Sequence, residues 1–261
     1  MIVDYTERGS GHTVILLHST AAGNKQWKKL IEFLYEDYHL VAPNLFGYGA
    51  TDAWCSENTQ SLEDQAQLIR RFIPLDGRTV SIVGHSFGGS VAMMAAKLFR
   101  RHIHKLILIE PNPNYLLKEI ENEECFNEIS DLRNFIQTNG ERGRWDEAAE
   151  RFADFFNGKG TWSTMDSGRQ SRFKDALKPN LFEWDAVMNE KTSIHDWRAC
   201  LPKDTTVLSC RQTIKPAKEI VNLFRCHMTS WKFREYNEGG HMAPLTKPDL
   251  INPIIAEELI S

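Results

Sequence analysis

Short apolar runs alternate along the chain with longer segments in which apolar residues recur at helical spacing. The runs cover residues 14–17, 39–42, 80–83, 106–109, 206–209 and 231–234. Short apolar runs that alternate with helices are typical of a parallel sheet whose strands are buried on both faces. The pattern therefore predicts an α/β fold, with a mainly parallel, twisted sheet and helices on both faces.

The interval between the fourth and fifth predicted strands has a different character. Residues 112–200 contain no convincing strand and are rich in helix formers and aromatic residues. Because this interval is too long for a plain connection, we expect an inserted helical lid at 112–200 and a core formed by 1–111 and 201–261. About a third of its aromatic residues should line an apolar pocket, and the others should pack within the lid. The aromatic residues considered are Trp145, Phe152, Phe155, Phe156, Trp162, Phe173, Phe182, Trp184 and Trp197.

One five-residue sequence, Gly84-His85-Ser86-Phe87-Gly88, lies between the predicted strand 80–83 and an Ala- and Met-rich helical stretch. A strand, a sharp turn that carries a serine, and a helix form the context of a nucleophile elbow. The turn strains the backbone of Ser86 and brings its neighbours close, so small residues are needed two positions to either side, where Gly84 and Gly88 stand. We predict that Ser86 is a nucleophile; the alternative is a glycine-rich turn with an idle serine.

Composition and charge narrow the classes of function. The 261 residues are 41% hydrophobic and 25% charged, with a formal net charge of −4 and scattered Lys and Arg. We therefore expect a globular chain with no nucleic-acid partner and no membrane-binding surface. There is no apolar run of about 18 residues and no signal-peptide pattern at the N-terminus, which predicts a cytoplasmic protein. The five unclustered cysteines are typical of reduced thiols rather than of a disulfide framework or a zinc site.

Three further motifs accompany the serine turn, in an order typical of one family. His18-Ser19-Thr20-Ala21 follows the first predicted strand, the segment 43–49 follows the second, and Gly239-Gly240-His241 stands near the C-terminus. With them the chain resembles the α/β-hydrolase family over nearly its full length: the motifs are similar to its oxyanion loop, its Asp-x-Pro-Gly-x-Gly loop and its catalytic-histidine loop. It departs from the family pattern at Ser19, where glycine is usual, and at Asn44 and Phe46, where Asp and Pro are usual.

A serine hydroxyl needs a base that removes its proton, and the resemblance implies that this base is His241. His241 also follows the last predicted strand and precedes a predicted helix at 248–259, which places it at the same sheet edge as Ser86. We expect His18 and His85 to orient backbone groups, since each lies inside a turn motif. The oxyanion hole is expected to consist of the backbone amides of Thr20 and Phe87. Whether the Ser19 hydroxyl adds to that hole stays open.

The acid that orients His241 is not at its commonest place. In most of the family an Asp follows the strand equivalent to 206–209, about four residues before a proline, and Gln212 stands there. Glu110 directly follows the strand 106–109, and some dehalogenases and lactonases of this fold place a glutamate there, after the sixth strand in the family's numbering. Because carboxyl ends of strands face the ligand crevice, we predict Glu110 as the acid. The other carboxylates considered are Asp185 and Asp196, in or near the lid, and Asp204, at the opposite sheet edge.

These residues together predict a serine hydrolase that needs no cofactor and no metal. The resemblance implies catalysis by Ser86, His241 and Glu110, and the apolar lid favours a small hydrophobic carboxylic ester as substrate. Thioesters, lactones and carbon-carbon bonds can be hydrolysed by the same residues, and a small-molecule receptor of the same fold is an alternative from another class. The sequence makes no prediction of the oligomeric state.

Overall fold

The computed structural model describes residues 1–55, 57–120 and 123–260. In this part of the chain seven strands form one sheet, in the spatial order β1-β3-β2-β4-β5-β6-β7. All neighbouring strands are parallel except β1, which pairs antiparallel with β3 at one edge. The strands are β1 (Tyr5–Arg8), β2 (His12–Leu17), β3 (Tyr38–Pro43), β4 (Val80–His85), β5 (Ile103–Ile109), β6 (Thr205–Cys210) and β7 (Lys232–Tyr236).

Helices connect the parallel strands, and among the residues that the structure describes five α-helices lie in sequence between β5 and β6. Several begin at side chains that accept hydrogen bonds from the first turn: Ser61 caps α2, Asp166 caps α6 and Ser193 caps α8. The helices are α1 (Lys28–Leu34), α2 (Leu62–Gln67), α3 (Phe87–Leu98), α4 (Glu123–Glu141), α5 (Trp145–Asn157), α6 (Ser167–Leu177), α7 (Asn180–Met188), α8 (Ile194–Cys200), α9 (Lys215–His227), α10 (Ala243–Thr246) and α11 (Pro248–Ile260).

The sheet is covered on both faces, as the apolar runs predict. Successive side chains of a strand point to opposite faces, so Val14 and Leu16 of β2 pack with α1 and α11, while Ile15 and Leu17 pack with α3 and the helices of the inserted segment. All six residues of β4 are buried. The prediction of an α/β fold with a mainly parallel sheet is confirmed.

The six predicted strands are present at the predicted positions, and most of them are longer than the apolar runs that predict them. Each of the six predicted runs lies in a strand, although β7 begins at Lys232, one residue after the predicted start. Strand β1 was not predicted, because its sequence Tyr-Thr-Glu-Arg is exposed throughout and carries no apolar pattern. Residues 56 and 261 of the predicted core and residues 121 and 122 of the predicted lid 112–200 lie outside the described residues. Among the helices that are described, none combines the length and the apolar character needed to span a membrane.

Candidate active site

Ser86 stands at the turn between β4 and α3 with a strained backbone. Its φ is 52° and its ψ is −117°, in a region that L residues rarely adopt. Neighbours are very close: a Cβ on Gly84 would lie 2.4 Å from the carbonyl oxygen of Gly88, and one on Gly88 would lie 2.4 Å from that of Leu17. The turn therefore has the geometry of a nucleophile elbow, and the two glycines are needed for the reason that the sequence suggested.

A chain of hydrogen bonds joins Ser86, His241 and Glu110. The Ser86 Oγ lies 2.9 Å from His241 Nε2, and His241 Nδ1 lies 2.7 Å from Glu110 Oε2. Because a carboxylate only accepts hydrogen bonds, the His241 proton is on Nδ1, which leaves Nε2 free to accept from the serine hydroxyl. All three side chains are buried. The structure thus brings together the three residues that the sequence singled out.

Glu110 is held in place by further donors. Its Oε1 accepts from the backbone amide of Cys210 at 2.6 Å, and its Oε2 accepts from the Thr213 hydroxyl at 2.6 Å. The other carboxylates considered are engaged elsewhere: Asp185 with Arg133, Asp196 with the Ser193 cap and Asp204 with Lys105. Gln212 is exposed. Of the candidates for an acid, Glu110 is the one bonded to His241.

Within the described part of the chain, the Thr20 amide in the loop after β2 donates to no other group, although the amides on either side of it do. The amide of Ser19 donates to Gln26 Oε1 at 3.1 Å, and the amide of Ala21 donates to the Tyr48 hydroxyl at 3.0 Å. Thr20, between them, lines the same cavity as Ser86 and Phe87. The Ser19 hydroxyl donates to Gln26 Oε1 at 2.9 Å and is thereby committed to the loop.

Two buried histidines bind backbone groups, as expected. His18 Nδ1 donates to the Ser19 carbonyl, and its Nε2 accepts from the Leu45 amide at 3.1 Å. Burial lowers the pKa of His18 to about 4, so the ring is neutral. His85 Nε2 donates to the His241 carbonyl at 2.8 Å, and burial, followed by nearby His241, holds the pKa of His85 well below its usual range. Both rings position loops of the site.

A small cavity of about 20 Å³ lies over Ser86. Three of the nine aromatic residues considered in the inserted segment line it, namely Phe152, Phe156 and Trp184, and the ring centroid of Phe156 lies 5.0 Å from that of His241. A cavity of this size has room for about one water molecule.

Sequence reasoning missed Glu183 of α7, which also lines this cavity. Its carboxylate accepts hydrogen bonds from Thr20, Tyr48 and Asn180. Helix α7 faces the cavity with Asn180, Glu183, Trp184 and Val187, which have the i, i+3, i+4, i+7 spacing of one helical face. That spacing is visible in the sequence, but nothing in it indicates that the face meets the loop after β2. No group of three or more potential metal-ligating side chains occurs among the residues that the structure describes.

Curated relatives match part of the chain. An uncharacterised protein of Mycobacterium tuberculosis is 33% identical over 102 residues, which cover 39% of this chain and 29% of that protein. The 2-hydroxy-6-oxo-6-(2'-aminophenyl)hexa-2,4-dienoic acid hydrolase of Metapseudomonas resinovorans is 32% identical over 111 residues, covering 40% of this chain and 37% of the relative. The matches thus span less than half the length of these relatives.

Matches that cover the chain as a whole come from a solved structure and from a family model. A thermophilic esterase from Thermogutta terrifontis has a TM-score of 0.74 and 20% identity, over 98% of this chain and 92% of that one. The alpha/beta hydrolase family model matches residues 14–254, from β2 into α11, and so includes the serine turn, the end of β5 and the His241 loop. By its sequence and its fold, the chain belongs to the alpha/beta hydrolase family.

Proposed function

We propose that this protein is a serine hydrolase that cleaves a carboxylic ester of a small hydrophobic substrate through an acyl-enzyme intermediate. The observation that carries the proposal is the hydrogen-bonded chain from the Ser86 Oγ through His241 to Glu110, with distances of 2.9 Å and 2.7 Å. A serine hydroxyl on a strained turn, a neutral imidazole and a buried carboxylate are the groups that acyl transfer requires.

In the proposed reaction, the Ser86 Oγ attacks the ester carbonyl carbon while its proton passes to His241 Nε2. The imidazolium is stabilised by Glu110, and the carbonyl oxygen becomes an oxyanion that accepts from the amides of Thr20 and Phe87. The bond to the alcohol then breaks, and His241 returns the proton to the leaving oxygen. Water then attacks the acyl carbon while His241 Nε2 takes its proton, and the bond to the Ser86 Oγ breaks as His241 returns that proton to the Oγ and the acid leaves.

The walls of the cavity support an apolar acyl or alkyl group. Phe87, Phe152, Phe156, Trp184 and Val187 are apolar residues that line the cavity over Ser86. In this proposal residues 112–200 act as a lid whose apolar side chains bind the part of the substrate that does not react. Thioesters, lactones and carbon-carbon bonds are alternatives on the same residues, and the Metapseudomonas relative is a reason to test a dienoic acid substrate beside simple esters.

The test is covalent labelling with a fluorophosphonate, in which the Ser86 Oγ displaces fluoride from phosphorus. We expect wild-type protein to be labelled at Ser86 and to hydrolyse members of a panel of esters and thioesters of increasing acyl length. Ser86→Ala should abolish labelling and turnover and leave the melting temperature nearly unchanged, because one hydroxyl is lost from a strained position.

A matched control is Ser90→Ala, in α3, the helix that follows Ser86. It removes a buried hydroxyl that donates to Asn112 and makes no bond to His241. It should retain labelling at Ser86. An adduct on another serine of the wild type would contradict the assignment of the nucleophile. Labelling without turnover of any substrate in the panel would favour a receptor of the same fold.

A further inference from the structure

Glu183 is a buried carboxylate for which the proposed reaction has no step. It lies on α7 with 1% of its surface exposed. Its Oε2 accepts from the Thr20 hydroxyl at 2.6 Å and from Asn180 Nδ2 at 3.0 Å, and its Oε1 accepts from the Tyr48 hydroxyl at 2.8 Å. A buried carboxylate is costly to keep, so three converging donors indicate a specific purpose.

Two of these donors also hold the loop after β2. Thr20 is part of that loop, and the Tyr48 hydroxyl accepts from the amide of the next residue, Ala21. Because Tyr48 accepts from Ala21, its own proton must go to Glu183. Ala21 has a φ of 60°, a backbone conformation that needs support from its surroundings. Glu183 therefore fixes the chain on the C-terminal side of the peptide that carries the Thr20 amide, directly at Thr20 and through Tyr48 at Ala21, while Gln26 holds Ser19 on the other side.

The bonds from Thr20 and Tyr48 to Glu183 also join the inserted segment to the core, and a second contact lies beside them. Pro179, directly before α7, packs so closely on the loop after β3 that a Cβ on Gly47 would lie 2.9 Å from its Cγ. Burial raises the pKa of Glu183, and the hydrogen bonds from Thr20, Asn180 and Tyr48 act against that rise. The three side chains that donate to this carboxylate, Thr20, Asn180 and Tyr48, are all neutral.

We propose that Glu183 is a positioning residue that directs the Thr20 amide toward the reacting carbonyl oxygen, so that the oxyanion hole is complete only when α7 is docked on the loop after β2. The inference rests on the proposed function. It gives the inserted segment an effect on the rate of acylation in addition to its role in substrate binding.

The test compares Glu183→Gln with wild type on an activated acetate ester, whose short acyl group makes little use of the apolar wall. Loss of one oxyanion donor lowers turnover by about a hundredfold to a thousandfold, so a misdirected donor should lower kcat by about tenfold to a hundredfold. KM should change less than kcat. The rate of fluorophosphonate labelling should fall in parallel, since phosphorylation of Ser86 uses the same oxyanion hole.

The matched control is Glu258→Gln on α11. Glu258 is also a buried carboxylate that accepts side-chain hydrogen bonds, from Thr206 and Arg234, but Thr206 lies at the amino end of β6, away from the site. This variant should lower the melting temperature and leave kcat and the labelling rate nearly unchanged. If Glu183→Gln does not fold, Tyr48→Phe takes its place, because it removes the bond to Glu183 and the acceptor for Ala21 together.

The outcomes separate the two proposals. An active wild type whose Glu183→Gln and Tyr48→Phe variants keep kcat and labelling rate within about twofold, with only a lower melting temperature, would overturn the positioning role alone. A wild type that is neither labelled at Ser86 nor active would overturn the proposed function and this inference with it. The double variant Glu183→Gln/Tyr48→Phe should lose less kcat than the product of the two single fold-losses. This result would support the action of both residues through one shared loop.

Discussion

At the scale of single residues, backbone strain coincides with the site. The described residues other than glycine that have a positive φ are Ala21, Ser86 and Glu110, at 60°, 52° and 41°. Each follows the carboxyl end of a central strand, and each such conformation costs about 1 to 3 kcal/mol. Hydrogen bonds from the Ser86 amide to Ile109 and from the Glu110 amide to Leu208 hold two of them. In these backbone conformations the side chains of Ser86 and Glu110 reach His241, to which both are hydrogen-bonded.

The residue-scale prediction concerns Glu110, the acid that is bonded to His241. Glu110→Gln keeps the shape of the side chain but removes the charge that holds the Nδ1 tautomer of His241 and stabilises its protonated form. Loss of the corresponding partner in the Ser-His-Asp protease example lowers turnover by about ten-thousandfold, so we expect kcat to fall by at least about a hundredfold here. The measurement is kcat on one activated ester.

Three variants serve as controls for that measurement. Gln212→Ala should cost far less than Glu110→Gln, because Gln212 is exposed and Glu110 occupies the position beside His241. Asp185→Asn and Asp196→Asn should likewise keep most of the activity, since these carboxylates bind Arg133 and Ser193. The assignment of Glu110 would be wrong if it tolerated the change within a few-fold while one of the aspartate variants lost turnover.

At the scale of elements, the sequence patterns predicted the strands and turns whose formation depends on neighbouring residues. Six strands and the serine turn follow from short apolar runs and from two glycines, because burial and close approach act on neighbouring residues. Strand β1 escaped because an exposed edge strand needs no apolar side chains. The contacts of Glu183 could not be predicted for another reason. Its partners Tyr48 and Thr20 are 135 and 163 positions away in the sequence, and no local pattern indicates that these residues are in contact.

The element-scale prediction concerns α5, which contributes Phe152 and Phe156 to the cavity wall. If the inserted segment binds the apolar part of the substrate, replacing both by alanine should reduce kcat/KM for a hexanoate ester by about tenfold or more and for an acetate ester much less. The reason is that burial of one such side chain against the substrate is worth about 1.5 to 3 kcal/mol.

The control for the α5 variant is Phe135→Ala on α4, where the phenylalanine is 40% exposed and lies outside the cavity wall. It should leave the preference for acyl length unchanged. An α5 double variant with an unchanged preference would indicate that the acyl group binds among core residues alone.

At the scale of the whole molecule, the parallel sheet assembles the site. Residues 20, 86 and 110 follow β2, β4 and β5, and these strands are direct neighbours whose carboxyl ends meet at one edge. His241 joins them from the loop that follows β7. This placement could be predicted from the sequence because the order of strands in an open parallel sheet constrains which loops meet. The small size of the cavity could not, because it depends on how α5 and α7 pack over the edge.

The whole-molecule prediction concerns stability in acid. Burial lowers the pKa of His18 from 6.5 to about 4 and also lowers the pKa of His85. Below about pH 6.5 these two side chains therefore bind protons in the unfolded chain but not in the folded chain. The contribution of these two histidines to the free energy of unfolding should therefore be constant above about pH 6.5. It should fall as the pH drops from about 6.5 to about 4. Glu183, whose pKa is raised, opposes this trend in part, because the folded state takes up its proton first.

His18 alone should account for about 3 kcal/mol of that fall, since each unit of pKa shift corresponds to about 1.4 kcal/mol. In His18→Asn the side-chain amide can still donate to the Ser19 carbonyl, but no ring is left to protonate, so the decline between pH 6.5 and 4 should be shallower by about this amount, whatever the absolute stability. The measurement is urea unfolding across this range at constant ionic strength, with His195→Asn, which removes an exposed histidine, as control. Parallel curves for wild type and His18→Asn would mean that the buried ring takes up its proton without unfolding the loop that it joins to Leu45, and acid stability would then be set elsewhere in the molecule.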